Sequence, residues 1–207
     1  MTEQNNIPDI KVILLGESAV GKTSIIRRFY DETFDLKETS TVSMSYVEKI
    51  VELDGKKYKL IIWDTIGQET YRTMTQLFLN NSKIVIMVYS IDDKRSFTNL
   101  NFWYELYEKD LSNEAILGII GNKSDLLTNI EVTFQEGSDF AKSKGAIFSE
   151  LSCKENPEMI GFFFKDLLKA YLKKNNGEIE IDTQTIKLNT DDFKTKKVGC
   201  CNSSKKH

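Results

Sequence analysis

Between Gly16 and Thr23 the chain reads Gly-Glu-Ser-Ala-Val-Gly-Lys-Thr, a spacing that suits the holding of an anion. Two glycines let the backbone curl, so that the N–H groups of Glu17, Ser18, Ala19, Val20 and Gly21 converge on one point. The start of a helix adds its partial positive charge there. Lys22 brings a point charge able to reach β and γ phosphates, and the Thr23 hydroxyl is a ligand for the Mg²⁺ that bridges them, with Ser24 beside it as a further contact. This is the phosphate-binding pattern G-x-x-x-x-G-K-[ST]. Its flanks fit: Ile10 to Leu15 is an apolar run of strand length, and Ile25, Ile26 and Phe29 recur at helical spacing.

Three further motifs follow apolar runs. Asp64-Thr65-Ile66-Gly67 offers a carboxylate for the water shell of Mg²⁺ and a glycine N–H that can approach a γ-phosphate. Asn122-Lys123-Ser124-Asp125 suits guanine, because Asp125 can accept from the ring N1–H and the exocyclic amine together. Adenine cannot match that pair and would strand a buried carboxylate, at a cost of about 1–3 kcal/mol or more. Ser152-Cys153-Lys154 places a backbone N–H at Cys153 where guanine O6 would lie. Cys153 is not read as a nucleophile, since the lone histidine is terminal and nothing else would activate it.

These motifs need strand ends to carry them. Tyr46 to Leu53 and Lys57 to Trp63 read as a hairpin joined through Asp54-Gly55, which favours a two-residue type I′ turn. Ile84 to Tyr89 reads as a fully buried strand. Ser96–Lys109, Val132–Lys144 and Pro157–Lys174 carry helical patterns, alternating with strands over Ala115–Gly121 and Ala146–Leu151. The result is an α/β chain whose motifs all fall where ligands bind in an open parallel sheet, beyond the C-terminal strand ends. Asp31 to Ser45 is polar with few apolar anchors and reads as a functional loop. After Asn175 the periodicity fades into a polar tail.

Composition sets bounds. The chain has 207 residues, 40% of them hydrophobic, enough for one sizeable core. A net charge of −3 provides no basic footprint for nucleic acid. Three cysteines, two of them adjacent, make no disulfide framework and suit a reducing compartment. No run approaches the ~18 apolar residues of a membrane span, and residues 1–9 resemble no targeting signal.

Over Asp9 to Leu172 the sequence resembles the Ras superfamily of small GTPases, and within it the Rab proteins. The phosphate loop, Lys59-Leu60-Ile61-Ile62-Trp63-Asp64-Thr65, Tyr71-Arg72-Thr73-Met74-Thr75 and the adjacent Cys200 and Cys201 carry that resemblance. It implies a small G domain over 9–174, with a short extension over 1–8 and a hypervariable tail over 175–207. The implied fold is a six-stranded, mostly parallel sheet with one antiparallel strand and about five flanking helices. It implies a monomeric GTP/GDP switch in vesicle traffic, moving between cytosol and the cytoplasmic face of intracellular membranes. Phe34 would pack against guanine, Thr41 would be a second Mg²⁺ ligand, and Gln68 would orient the attacking water. Lys123 and Lys154 join the nucleotide set. Tyr46, Trp63 and Phe78 match an effector-reading aromatic triad. Exchange factors, activating proteins, prenylation machinery and a GDP-dissociation inhibitor are the implied partners. Competing readings are a GTP-binding scaffold with negligible hydrolysis, a Ras- or Rho-type signalling GTPase, and a phosphate-loop kinase or ATPase, which the guanine-specific motif argues against.

The sequence departs from the family in places that matter. Ile66 stands where the family has alanine, and two readings are open: its branched side chain slows rearrangement of the Gln68 loop, or it turns away and has no effect. Unchanged single-turnover hydrolysis in Ile66→Ala would discard the first. Thr41-Val42-Ser43-Met44-Ser45-Tyr46, Thr70 and Leu79-Asn80-Asn81-Ser82 also differ from the usual Rab sequences, so partner identity does not carry over. Six residues follow Cys201, and the ending is not a C-a-a-X box. Lipidation of both cysteines is expected, two chains giving stable anchorage where one is marginal.

Overall fold

The computed structural model describes residues 7–33, 45–65, 79–111, 114–155 and 157–176. Six strands and five helical segments alternate through them: β1 (Asp9–Leu15), α1 (Lys22–Asp31), β2 (Ser45–Leu53), β3 (Lys56–Asp64), β4 (Ile84–Ser90), α2 (Lys94–Thr98), α3 (Leu100–Leu111), β5 (Ile116–Asn122), α4 (Phe134–Ser143), β6 (Ile147–Glu150) and α5 (Pro157–Asn175). The strands form one sheet in the order β2-β3-β1-β4-β5-β6. Only the β2–β3 pair is antiparallel.

Residue type explains each strand's place. Every residue of β4 and of β5 is buried, as strands covered on both faces must be. β2 alternates exposed and covered positions and sits at the edge. The β2–β3 hairpin turns at Asp54 (φ 51°) and Gly55 (φ 73°), the two positive φ angles of a type I′ turn, with Leu53 opposite Lys56. Successive residues of the central strands point to opposite faces. Val12, Leu14, Ile84, Ile86 and Val88 therefore join Ile25, Phe29, Phe163, Phe164 and Leu167 in a core beneath α1 and α5. Ile13, Leu15, Val85, Met87 and Tyr89 join Leu100, Trp103, Ala141 and Phe148 beneath α3 and α4. Two cores on one sheet hold the strand ends in a fixed row.

Helix starts follow side-chain caps. Asp93 accepts from the N–H groups of Arg95 and Ser96, so helix begins at Lys94, two residues before the apolar periodicity suggests. Asn99 separates α2 from α3 while keeping helical dihedrals. Thr133 and Glu136 form a reciprocal capping box at α4. Glu136 accepts from Thr133 and Lys94, and with Lys94 its chief partner its carboxyl is held down to about 2. At α5, Gly118 of β5 leaves the space that Leu167 and Phe163 fill: an added Cβ would lie 2.9 and 3.0 Å from them.

Candidate nucleotide site

The turn between β1 and α1 is shaped by what presses on its glycines. Gly16 has φ 144°, and a Cβ there would lie 2.2 Å from the Val88 carbonyl oxygen of β4. Gly21, the N-cap of α1, has φ 94°, and a Cβ there would lie 2.2 Å from Asn122 Nδ2. Both positions require glycine twice over, for conformation and for space. Ala19 also adopts a left-handed φ of 64°, and Ser18 and Ala19 are exposed at the crest of the loop.

Lys22 closes the loop from beneath. Its Nζ donates to the carbonyls of Gly16 at 2.9 Å and Glu17 at 2.8 Å, in a site where the side chain is buried. Desolvation pulls its pKa down to about 8, against the opposing pull of Asp64 and Glu17. A buried cation in the first turn of a helix is suited to an anion. Thr23 Oγ1 donates to Asp64 Oδ2 at 2.7 Å, bringing together two hard oxygen groups from α1 and the end of β3. Mg²⁺ takes one or two protein oxygens and keeps waters and phosphate oxygens for the rest, so this pair fits it. The next residue, Thr65, donates to the Leu14 carbonyl at 2.6 Å and fastens the end of β3 to β1.

The other two motifs meet beside this loop. Asn122, at the end of β5, donates from Nδ2 to the Val20 carbonyl at 2.8 Å and accepts at Oδ1 from Cys153 Sγ at 3.4 Å. Its amide thus lies between the phosphate loop and the loop after β6. Asp125 Oδ1 accepts from Ser152 Oγ at 2.6 Å, and its other oxygen lies 3.8 Å from Lys154 Nζ. Ser152 Oγ in turn accepts from the N–H groups of Lys154 and Glu155. Lys123, at φ 66°, points its ammonium to Asp92, 3.5 Å away. These groups stand at or just beyond the C-terminal ends of β1, β3, β4, β5 and β6.

A model described as the Ras family matches residues 11–173. The chain belongs to the Ras family. It is 41% identical over 166 residues to human Ras-related protein Rab-12, covering 80% of this chain and 68% of that one. It is 39% identical over 174 residues to Ras-related protein Rab-18 of Lymnaea stagnalis (84% and 85%). Ras-related protein SEC4 of Saccharomyces cerevisiae is 34% identical over 196 residues (93% and 91%). Within the Ras family this is a Rab-like small GTPase.

Of the residues the sequence nominates in this Ras-family chain, the structure brings together Glu17, Ser18, Ala19, Val20, Gly21, Lys22, Thr23 and Ser24 with Asp64, Asn122, Lys123, Asp125, Ser152, Cys153 and Lys154. Phe34, Thr41, Ile66, Gly67, Gln68, Phe78, Cys200 and Cys201 lie outside the described residues. Of the aromatic triad, Tyr46 is exposed and its ring centroid lies 5.1 Å from that of Trp63. Sequence reasoning missed Arg28, which bonds the backbone after β6, and the fastening role of Thr65. Among the described residues no helix is long and apolar enough to cross a membrane.

Proposed function

We propose that this Rab-like GTPase binds Mg-GTP at the strand ends described above and hydrolyses it to GDP and phosphate. It recruits effectors in its GTP form to regulate vesicle traffic on intracellular membranes. The observation that carries this reading is Asp125: its carboxylate, fixed by Ser152, follows Asn122, whose amide bonds the loop that holds buried Lys22. One molecule offering a guanine edge and a polyphosphate satisfies both.

The division of labour follows from the chemistry of each group. The N–H groups of residues 17–21 and the Lys22 ammonium hold and orient the phosphates. Thr23 directly, Thr41 directly and Asp64 through water would hold Mg²⁺, which when bound neutralises charge on the β and γ phosphates. Gln68 holds the attacking water by its neutral amide without acting as a strong base, so hydrolysis is slow until an activating protein completes the site. Gly67 and Thr41 contact the γ-phosphate side; its loss frees both segments, and that difference is what effectors read. Tyr46, Trp63 and Phe78 form the effector surface. Exchange factors, a GDP-dissociation inhibitor and prenylation machinery complete the cycle, with Cys200 and Cys201 as the lipid-bearing residues.

Denaturing the purified protein and separating what it releases tests the reading. GDP is the expected product; retained GTP would indicate binding without hydrolysis, and adenine nucleotide would overturn the guanine assignment. Asp125→Asn is expected to lose affinity for GDP and gain it for xanthosine diphosphate, whose ring offers an acceptor where guanine has the 2-amino donor.

A further inference from the structure

We infer that Arg28, which lies in none of the four motifs, is a positioning residue for base recognition, acting on guanine O6 through the backbone of Cys153. This rests on the guanine reading proposed above. Arg28 sits in the last turn of α1, half-buried. Its Nε donates to the Cys153 carbonyl at 2.7 Å, its Nη2 lies 3.4 Å from the Lys154 carbonyl, and its Nη1 donates to the Glu32 carbonyl at 2.6 Å.

The first of these bonds matters most because of what lies on the other side of the same peptide unit. The Cys153 carbonyl and the Lys154 N–H belong to one planar group. Arg28 holds its oxygen, while the Ser152 hydroxyl accepts from its N–H at 3.1 Å. That peptide is therefore pinned at both edges, and the preceding one, which carries the Cys153 N–H, is left little freedom to rotate. A planar guanidinium suits the task, since its fork of donors engages successive carbonyls at once where an ammonium acts as a point charge. The platform is firm: Phe29, next in sequence, stacks on Phe164 of α5 with ring centroids 4.0 Å apart and planes within 9°.

Base recognition is thus divided. Asp125 reads the N1–H and 2-amino edge and is held by Ser152; the Cys153 N–H reads O6 and is held by Arg28. Loss of Arg28 loosens the second half and leaves the first.

The test compares GDP with two analogues by competition on the full-length wild-type chain, Arg28→Gln and Arg28→Lys. In 6-thio-GDP sulfur replaces O6; inosine diphosphate lacks the 2-amino group. In Arg28→Gln the preference for GDP over 6-thio-GDP is expected to shrink by about fivefold, the worth of one hydrogen bond. The preference for GDP over inosine diphosphate should stay as in the wild type. Arg28→Lys, which keeps the charge and loses the fork, should fall between, and serves alone if the glutamine variant does not fold. An unchanged 6-thio-GDP ratio, or an equal loss in both ratios, overturns the positioning role. Wild-type protein that binds GDP no better than ADP overturns the guanine reading itself.

Discussion

The Asn122 amide donates to the Val20 carbonyl across 102 residues of sequence, at 2.8 Å, in a site closed to water. The bond ties the residue before Gly21 of the phosphate loop to the strand end that carries Asp125. Asn122→Ala removes the donor and leaves the Val20 carbonyl buried without it, at a cost of about 1–3 kcal/mol. GDP release from that variant is expected to accelerate about tenfold or more. Fluorescent-nucleotide release kinetics measure it, and wild-type rates in the variant would show that the two loops are independent.

Lys22 makes nucleotide affinity depend on pH. In the nucleotide-free protein its pKa is lowered to about 8, and a bound polyphosphate raises it again. Binding above pH 8 therefore takes up a proton, so affinity should be level through pH 7 and fall by up to roughly tenfold per unit above pH 8. Titration calorimetry between about pH 6.5 and 9.5, in buffers of different ionisation enthalpy, reads both the slope and the proton. A flat profile would mean that Lys22 does not face the phosphates.

Thr23 and Asp64 should set the response to Mg²⁺. Chelation with EDTA is expected to speed GDP release from the wild type. Thr23→Ala, which removes the hydroxyl that donates to Asp64, should release GDP quickly with or without the chelator. The gap between them is expected to be about tenfold or more, as for removal of a metal ligand or its supporting partner. Equal chelator sensitivity in both proteins would place the ion elsewhere.

The paired cysteines of the tail predict a change of cellular fraction. Cys200→Ser with Cys201→Ser should move the protein from membranes to the soluble fraction, while either single change should leave weaker and reversible attachment, as one chain gives. Sedimentation of cell lysates measures it. A double variant that still sediments would exclude these residues as the anchor.

The parts of this molecule legible in the sequence are those where a residue type is demanded by backbone geometry. Asp54-Gly55 announced its turn because the type I′ turn found there needs two positive φ angles. Gly21 announced the loop because a Cβ there would lie 2.2 Å from Asn122 Nδ2, and Lys22 because its ammonium reaches back to the Gly16 and Glu17 carbonyls. The start of α2 was less legible, since the cap at Asp93 lies outside the apolar pattern. Arg28 was invisible for a different reason. A cation near the end of an amphipathic helix looks like a solvated face, and its acceptors are carbonyls, which every residue possesses. Thr65 is hidden in the same way, since the acceptor of its hydroxyl is the backbone carbonyl of Leu14.

The direction of α5 has a geographical consequence. The helix begins just after Ser152-Cys153-Lys154 and runs back along the sheet until Lys174 comes within 3.5 Å of the carbonyl of Ala115, which precedes β5. Its end therefore lies at the opposite pole from Lys22 and Asp125. The chain thus leaves the described fold at one end of the sheet and holds its candidate nucleotide site at the other. A substitution near Lys174 would test the end of the sheet remote from Lys22 and Asp125.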